Sequence, residues 1–486
     1  MTIKKNLILN IVLSVSNIIF PIITFPYISR VLGPDGTGLA NFAIAVCEYF
    51  VIVAGLGIPL YGIRETAKAR DNLADRSIIF FEIFLIRLFT TVILLVPYFI
   101  MVINIKRFNN DLLLYYWGAV YIVANMGSID WFFTGLEDFK YITSRSLIVK
   151  VLSVILMFII VKHKGDVLNY FLVTIFILVI NGFIDLRYAL KYLTFKIDWR
   201  GLHFKRHLKP LFYIFSSLLA IKVYTLVDTI ILGFLSTNQS VGYYNSAIKL
   251  VRISLTVITS LGTVLIARLS NAVNKNDFDE VNKLLKNSFS FVYTLGIPMM
   301  ALIFALAPEL VELFAGHKFN PAVLTLRILS PLILIIGMAN VFSVQILTPL
   351  GKDRLVMTAA IAGAFVSVAL NFLLVPFLNQ NGSAISNVAT EFLVTVICFF
   401  FANKFMKINL LHKEMLLNFA STLPYLVLPF VLRIYLHNYF LIIVFTLFTA
   451  SISFLLFNLY IIKTRIVLDI LTRLRNGWKV YFQWEK

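Results

Sequence analysis

Two cations with helical spacing are the sharpest candidate for chemistry in this sequence. Lys249 and Arg252 lie inside the apolar stretch 241–267. Residues three positions apart share one face of a helix, so the two charges repel each other unless an anion or water stands between them. A charge near the centre of a membrane span costs roughly 2.5 to 3.5 kcal/mol on insertion scales, so it requires a wet or paired environment. The pair therefore predicts an anion-binding site within a helix bundle.

Other cations within or beside apolar stretches extend this predicted anion site. Lys222 lies about 18 Å into its stretch, counted from Pro210 at 1.5 Å per residue. The remaining candidates are Arg87, Arg327, Arg30 and Arg64. The alternative for each of them is that the side chain snorkels or pairs with a local carboxylate. Arg433, near the end of its stretch, is expected to snorkel.

Carboxylates within apolar stretches are the candidates for ion coupling. They are Glu48, Glu82, Asp185, Asp228 and Glu391. An intramembrane carboxylate can relay protons or bind Na⁺, and either role would energise transport. The alternative is that each one neutralises a neighbouring cation. Asp228 follows Lys222 by six residues, about 240° round a helix, so these two side chains do not face each other.

Enzymatic and metal chemistry have no candidate residues. The six histidines show no paired-ligand spacing, and Cys47 and Cys398 are each alone in an apolar run. Hydrolase, phosphate-loop and paired-carboxylate motifs are also missing from the sequence. We therefore expect no catalytic residue, no metal and no cofactor.

The composition requires that these residues be positioned by membrane-spanning helices. Of the 486 residues, 60% are hydrophobic and only 14% are charged, with a mean hydropathy of +0.89. Soluble domains average about 25% charged residues, so the chain is predicted to be an all-α integral membrane protein. Fourteen stretches have spanning length. They are 7–29, 39–63, 78–104, 112–133, 146–162, 167–188, 210–235, 241–267, 288–313, 322–348, 355–379, 382–402, 415–436 and 438–462.

The distribution of Lys and Arg predicts the topology. With fourteen spans, 30 of the 43 cations fall on the side that holds both termini, and 6 fall on the opposite side. Cytoplasmic connections carry such an excess, so both termini are predicted to be cytoplasmic. The net charge of +19 is explained by this topology, and no nucleic-acid partner is expected.

An internal repeat divides the spans into two halves. The first copy consists of Leu32-Gly33 and the hexapeptide 38–43 (GLANFA). The second copy consists of Leu232-Gly233 and the hexapeptide 242–247 (GYYNSA). Because six spans separate the copies, the halves enter the membrane from the same side and are related by an axis along its normal. The predicted domains are a six-helix bundle with a basic cytoplasmic linker (1–209), a second six-helix bundle (210–413), and helices 13 and 14 with a basic tail (414–486).

Three segments carry a family resemblance. They are 25–43 (FPYISRVLGPDGTGLANFA), 131–146 (WFFTGLEDFKYITSRS) and 228–250 (DTIILGFLSTNQSVGYYNSAIKL). In these segments, and in its predicted architecture, the chain resembles the Wzx-like O-antigen and polysaccharide flippases of the multidrug/oligosaccharidyl-lipid/polysaccharide (MOP) exporter superfamily.

The resemblance implies a function. It implies export of an undecaprenyl-diphosphate-linked oligosaccharide from the inner to the outer leaflet of a bacterial cytoplasmic membrane by alternating access. It also implies a basic cavity between the two bundles that meets the diphosphate, and a hydrophobic groove formed by 415–462. The family's basic and coupling positions carry over to Lys249, Arg252, Arg30, Lys222 and Asp228.

Two rival functions differ in the residues that they require. A cation-coupled multidrug exporter of the same superfamily would bind its cationic substrates with acidic residues, whereas the predicted interior holds more cations than acids on its central helices. A membrane polysaccharide polymerase or glycosyltransferase would need a catalytic loop on the outer face. The predicted outer connections are about ten residues or shorter, which opposes that alternative.

Overall fold

The computed structural model describes residues 3–196, 201–406, 408 and 413–462, and all of the regular structure in this part of the chain is helical. Within helices, the side chains of 3–8, 10, 11, 217–225, 261, 263, 264, 267 and 462 are not described. The chain divides into two compact units, Met1–Gly242 and Tyr243–Lys486. The predicted domain boundaries at residues 209 and 413 stay predictions.

The N-terminal unit contains eight helices and the start of a ninth among its described residues. They are α1 (Ile3–Gly55), α2 (Ile58–Lys68), α3 (Leu73–Asn104), α4 (Leu112–Met126), α5 (Asp130–Gly135), α6 (Phe139–Ile160), α7 (Val167–Ala189), α8 (Lys205–Leu235) and α9 (Asn238–Asn274), which continues into the second unit. Helix α1 packs against α3, α4, α6, α7 and α8 and is the central helix of this unit.

Helix α1 is broken at Gly33, which has φ of 70° and ψ of −178°. An L side chain rarely adopts this conformation, so glycine is required at the break. The 53 residues of α1 therefore correspond to the predicted first span and most of the second. Gly33, the first glycine of the internal repeat, is therefore needed for the break in α1.

Polar side chains accept hydrogen bonds from backbone N–H groups at two of the predicted connections. Asn72 accepts hydrogen bonds from the backbone N–H groups of Ala74 (2.9 Å) and Asp75 (3.3 Å) at the start of α3. Between α6 and α7, the Asp166 carboxylate accepts from the N–H groups of Lys162 (2.8 Å) and His163 (2.7 Å). These backbone hydrogen bonds lower the pKa of Asp166.

The repeated glycines allow a close helix crossing within residues 1–242. A Cβ atom added to Gly38 would lie 1.7 Å from the carbonyl oxygen of Asn238, and one added to Gly242 would lie 2.1 Å from the carbonyl oxygen of Pro34. The backbones of α1 and α9 therefore meet where the two copies of the hexapeptide begin. Both glycines are required because a single methyl group would force the helices apart.

The C-terminal unit is built around a long, broken helix. Its described helices are the rest of α9, α10 (Phe278–Phe291), α11 (Ile297–Ala305), α12 (Ala307–Ala315), α13 (Ala322–Leu329), α14 (Leu332–Asn340), α15 (Asp353–Phe405), α16 (Lys413–Tyr435) and α17 (Tyr439–Leu456). Helix α15 is broken at Asn379 (φ 48°) and corresponds to the predicted eleventh and twelfth spans. It packs against α13 and α14, and α11 packs against α16.

Three segments of this unit have π-helical hydrogen bonding. They are Val292–Gly296, Val341–Leu347 and Phe457–Ile462. The first joins α10 to α11 in the predicted ninth span, and the second continues α14 to the end of the predicted tenth span, so neither span is one regular α-helix. π-helical turns are frequently found at functional sites.

The described residues contain ten helices that are long and apolar enough to cross a membrane. Two of these ten segments are much longer than one span. Val12–Lys68, which comprises most of α1 and all of α2, has 57 residues, and Asp353–Phe405, which is α15, has 53 residues. Each corresponds to two predicted spans. The all-helical, multi-pass membrane architecture is therefore confirmed. The count of fourteen spans and the orientation of the termini stay predictions.

Candidate functional site

Arg87 is a buried cation near the middle of α3, 14 residues after the first residue of that helix. Its guanidinium donates to the carbonyl oxygens of Ser128 (2.8 Å) and Asn125 (2.6 Å), where the chain passes from α4 to α5. Among the described residues no carboxylate forms an ion pair with it. Arg87 therefore keeps its positive charge while it holds the joint between two helices.

A cavity of about 480 Å³ lies beside Arg87, within residues 1–242. Its polar lining consists of Arg87, Asn125, Ser128, Asp130 and Trp131, and the rest comes from apolar or glycine residues of α1, α2, the turn between them and α8. The cavity lining thus combines one guanidinium, from Arg87, with one carboxylate, from Asp130.

Asp185 is completely buried in α7 and shares one arginine with a second carboxylate. Arg145 of α6 forms ion pairs with Asp185 and, at 2.7 Å, with Asp130. The hydroxyl of Tyr141 also donates to Asp185 (2.9 Å). Arg145 is not among the candidate residues drawn from the sequence, because it lies one position before the apolar stretch 146–162.

Glu82 of α3 is also fully buried and has three partners at the start of α8. Its carboxylate accepts from Nε2 of His207 (2.7 Å), from Nε of Arg206 (3.0 Å) and from the backbone N–H of His203. Nδ1 of His207 lies 2.7 Å from the hydroxyl oxygen of Tyr61. The carboxylate is neutralised locally, as the alternative interpretation of the sequence expected for each acid.

The interior of this unit holds two further polar contacts. Glu48 accepts a hydrogen bond from the hydroxyl of Tyr121. Lys150, midway along α6, donates to Oγ of Ser16 and Oδ1 of Asn17, both at 2.6 Å. Lys150 was absent from the predicted site residues, although its position inside an apolar stretch matches that of Arg87. Like Arg87, Lys150 is held by neutral acceptors.

The remaining predicted cations of the first half lie near helix ends. Arg30 is exposed and donates to the carbonyl oxygen of Pro26 (3.2 Å). Arg64 is exposed, pairs with Glu65 (2.9 Å) and lies over the ring of Tyr61. Both side chains make contacts within their own helix. Neither lines the cavity beside Arg87.

On α8 and α9 the predicted residues follow one another along the chain. Lys222 belongs to α8, but its side chain lies outside the described residues. Asp228 is buried in the same helix. Lys249 is half-buried and Arg252 is exposed, 11 and 14 residues after the start of α9 at Asn238. Their one-turn spacing on a continuous helix agrees with the predicted shared face.

In the second unit, the guanidinium groups of Arg327 and Arg433 both lie close to the ring of Phe430. The guanidinium of Arg327 lies 5.6 Å from the ring centre of Phe304 and 5.9 Å from that of Phe430. Arg433 binds the buried carboxylate of Glu309 through two hydrogen bonds of 2.7 and 2.8 Å. The expectation that Arg433 snorkels is wrong, because this bidentate pair holds α16 against α12. Glu391 is buried in α15.

An apolar cavity of about 390 Å³ lies between α11, α16 and α17. Its lining includes Leu302, Leu447 and Phe454. Two of these helices form the segment 415–462, where the family resemblance places a hydrophobic groove. In the part of the chain described here, no group of three or more His, Cys, Asp or Glu side chains is arranged to hold a metal ion.

Comparison with known proteins decides the family. A family model described as "Polysaccharide biosynthesis protein" matches residues 3–273, more than half of the chain. The chain belongs to this family. A second model, described as MatE, matches residues 214–373.

Two curated relatives match the chain over most of their length. Proteins named "Putative O-antigen transporter" from Escherichia coli (strain K12) and Shigella dysenteriae are each 27% identical to it. The alignments cover 407 and 398 residues, or 82% and 81% of this chain. They include 97% and 98% of the respective relatives.

Solved structures show the same fold. A structure of the lipid II flippase MurJ in an inward closed conformation has a TM-score of 0.72 at 14% identity, and covers 96% of this chain and 100% of its own. An inward-facing multidrug resistance MATE family transporter of the MOP superfamily has a TM-score of 0.64 at 14% identity, with coverage of 80% and 93%. The predicted resemblance to the flippases of this superfamily is confirmed.

Proposed function

We propose that this protein moves an undecaprenyl-diphosphate-linked oligosaccharide from the inner to the outer leaflet of a bacterial cytoplasmic membrane. The observation that carries the proposal is a buried guanidinium without a carboxylate partner. Among the described residues, Glu82, Asp185 and Glu309 are buried and each is bound to an arginine, whereas buried Arg87 is hydrogen-bonded to carbonyl oxygens. Arg87 therefore offers an anionic substrate a guanidinium that no carboxylate contacts directly.

The diphosphate is the part of such a substrate that requires a protein. It carries about two negative charges, whose transfer into hydrocarbon is prohibitive unless hydrogen-bonded cations replace water. Guanidinium groups suit this task because their fixed fork of N–H donors matches phosphate oxygens. We assign diphosphate contacts to Arg87, Lys249 and Arg252 first, with Lys222, Arg30, Arg64 and Arg327 as the further predicted candidates.

The lipid tail needs much less from the protein. A polyprenyl chain is as apolar as the membrane interior, so it can stay in lipid or rest against an apolar surface. The cavity between α11, α16 and α17, with Leu302 and Phe454 in its lining, offers such a surface. We assign it to the prenyl chain.

Transport of a bulky head group requires alternating access. In our proposal two bundles rock about a shared basic cavity, with both termini in the cytoplasm, and the cycle is coupled to protons or Na⁺. The curated relatives are named transporters, and we propose that this chain is likewise a transporter and not an enzyme. The candidate coupling groups remain Asp228, Glu48, Glu82, Asp185 and Glu391.

The coupling proposal has its own experiment. We expect Asp228→Asn to slow export when the protein is reconstituted into proteoliposomes with an imposed proton or Na⁺ gradient. The matched control is Asp166→Asn, which changes an aspartate in the connection between α6 and α7. A transport rate of the unmodified protein that changes with neither gradient would refute ion coupling.

A multidrug exporter is the second candidate, because the MatE model matches residues 214–373. It predicts export of cationic compounds and no dependence on the interior cations. A polymerase or glycosyltransferase would need acid and base residues on an outer loop, for which the sequence offers no candidate.

One experiment separates these functions. Deleting the gene should make a lipid-linked glycan accumulate in the inner leaflet, where it resists a periplasmic glycosidase, and re-expression should restore its exposure. Proteoliposomes with purified protein and the extracted glycolipid should show the same exposure without other proteins. Drug sensitivity with normal glycan export would favour the exporter, and accumulation of unpolymerised glycan in the outer leaflet would favour the polymerase.

A further inference from the structure

The buried cluster around Arg145 contains one cation and two carboxylates. Arg145 pairs with Asp185, whose side chain is 1% exposed, and with Asp130, whose side chain is 54% exposed. Both ion pairs use the same guanidinium group. One carboxylate charge in the cluster is therefore left without a counter-charge when both acids are ionised.

The two oxygen atoms of Asp185 have different surroundings. Oδ1 accepts from Tyr141 and lies against Arg145. Oδ2 is buried and has no hydrogen-bond partner among the described residues. A buried carboxylate oxygen without a donor is costly, and the simplest way to remove that cost is a proton on this oxygen. Oδ2 is thus placed to gain and lose a proton.

The cluster is joined directly to the cavity beside Arg87. Asp130 is both the second partner of Arg145 and part of the cavity lining. Arg87 also lines the cavity. A change of charge at Asp185 therefore acts on a cavity whose lining already contains a cation.

We propose that the cavity between α1, α2, α3, α5 and α8 binds a tetrahedral oxyanion, and that a proton on Asp185 strengthens this binding. In the proposed function the oxyanion is a phosphate of the lipid diphosphate, and this identity rests on that function. The site itself does not, because the proposal concerns the binding of any such anion to residues 1–242.

The sign of the effect follows from the charges. Arg87 and Arg145 contribute two positive charges, and ionised Asp130 and Asp185 cancel them. Protonation of Asp185 leaves a net charge of plus one beside the cavity, which attracts an anion. By linkage, a bound anion also favours the protonated state by the same factor. Binding of the proton and binding of the anion therefore favour each other.

The groups that act on Asp185 are few. They are Arg145 and Tyr141 on α6 and Asp130 on α5. Helices α1 and α4 also pack against α7, but within the described residues they place no charged or titratable group against Asp185. The proton on Asp185 is thus exchanged within one cluster.

The test measures binding of inorganic sulfate to the full-length purified protein in detergent at pH 5 to 8. Sulfate is the probe because its own charge is constant over this range. We expect affinity to rise more than tenfold from pH 8 to pH 5, because one unit charge roughly 10 Å from a monoanion at a dielectric constant of about 20 already gives about tenfold and sulfate carries two charges. Arg87→Gln should weaken binding at every pH.

The variants at the cluster make the test specific. Asp185→Asn should bind sulfate at pH 8 as tightly as the unmodified protein does at pH 5, with a flat pH profile. If that variant does not fold, Asp130→Asn should raise the affinity at pH 8 and move the pH-dependent change to lower pH. His207→Gln and Glu309→Gln, which change a buried histidine and a buried carboxylate elsewhere, should keep the original profile.

Several outcomes would overturn the proposal. They are absence of sulfate binding, a flat profile in the unmodified protein, and a profile that Asp185→Asn leaves intact. Loss of the pH dependence in His207→Gln would assign the proton to the histidine instead. Failure of glycolipid export with normal sulfate binding would refute the proposed function and leave this site in place.

Discussion

Nε2 of His207 lies 2.7 Å from Oε2 of Glu82, and both side chains are almost completely buried. An ionised carboxylate only accepts hydrogen bonds, so Nε2 donates to Glu82, while Nδ1 is hydrogen-bonded to the hydroxyl of Tyr61. This chain of hydrogen bonds connects α2, α3 and the first turn of α8. The first turn of α8 is therefore fixed to α2 and α3 by a buried polar contact.

We expect Glu82→Ala to lower the free energy of unfolding by about 2 to 3 kcal/mol, because His207 and Arg206 lose a buried acceptor. Thermal unfolding of the purified protein in detergent would measure the loss. The matched control is Glu65→Ala, since Glu65 pairs with the exposed cations Arg64 and Lys68 and such pairs contribute little. Equal effects of the two substitutions would show that the buried network does not stabilise the fold.

Gly38→Ala should prevent the close approach of α1 and α9. The added Cβ would lie 1.7 Å from a backbone oxygen, and backbone cannot move as a side-chain tip can. We expect poor accumulation of folded protein in the membrane. Gly165→Ala is the control, because a Cβ at Gly165 has no atom within 4 Å. Normal folding of Gly38→Ala would mean that the crossing is looser than described.

Lys249→Ala and Arg252→Ala should each abolish surface polysaccharide while the protein still inserts into the membrane. The reason is the loss of a cation at mid-depth of α9, so Lys249→Arg should retain export. Glycan at the cell surface and protein in the membrane fraction are the two measurements. Normal export by the double variant would remove these residues from the anion site.

Arg433→Ala should destabilise the packing of α16 on α12, because it leaves the carboxylate of Glu309 buried without its counter-ion. Removal of one partner from a buried ion pair typically costs about 3 to 5 kcal/mol. The double variant Arg433→Gln with Glu309→Gln should cost less than the two single changes added together. A double-mutant cycle on unfolding midpoints checks this, and additive effects would contradict the coupling.

Hydropathy alone predicted most of the helices. The predicted stretch 167–188 became α7 (Val167–Ala189), and 415–436 became α16 (Lys413–Tyr435). The start of α3 lies five residues before its predicted stretch at 78, because the amphipathic first turn and the cap at Asn72 contribute no hydropathy signal.

The internal structure of some spans could not be predicted in this way. The stretch 322–348 became α13, α14 and a π-helical segment, although most of its residues are apolar. Hydropathy measures burial in lipid and is insensitive to a change in the hydrogen-bonding pattern of the backbone. Pro331, at the junction of α13 and α14, was the one local signal.

The types of residue in the candidate site were predictable, but their partners were not. Glu82 and His207 are 125 positions apart, and neither periodicity nor spacing carries information about such a contact. Arg145 was not a candidate because it lies one position before the apolar stretch 146–162. Arg87 was a candidate because it lies within an apolar stretch, whereas its carbonyl acceptors depend on where α4 ends.

The π-helical segments of the second unit affect how variants there should be designed. A π turn accommodates one residue more than an α turn, so the side chains of α11 beyond Gly296 are rotated by about 100° from the helical wheel of α10. Cysteine-scanning data across this span will therefore change phase at the π turn. Deleting one residue from 292–296 would restore the phase and turn the side chains of α11 toward different neighbours.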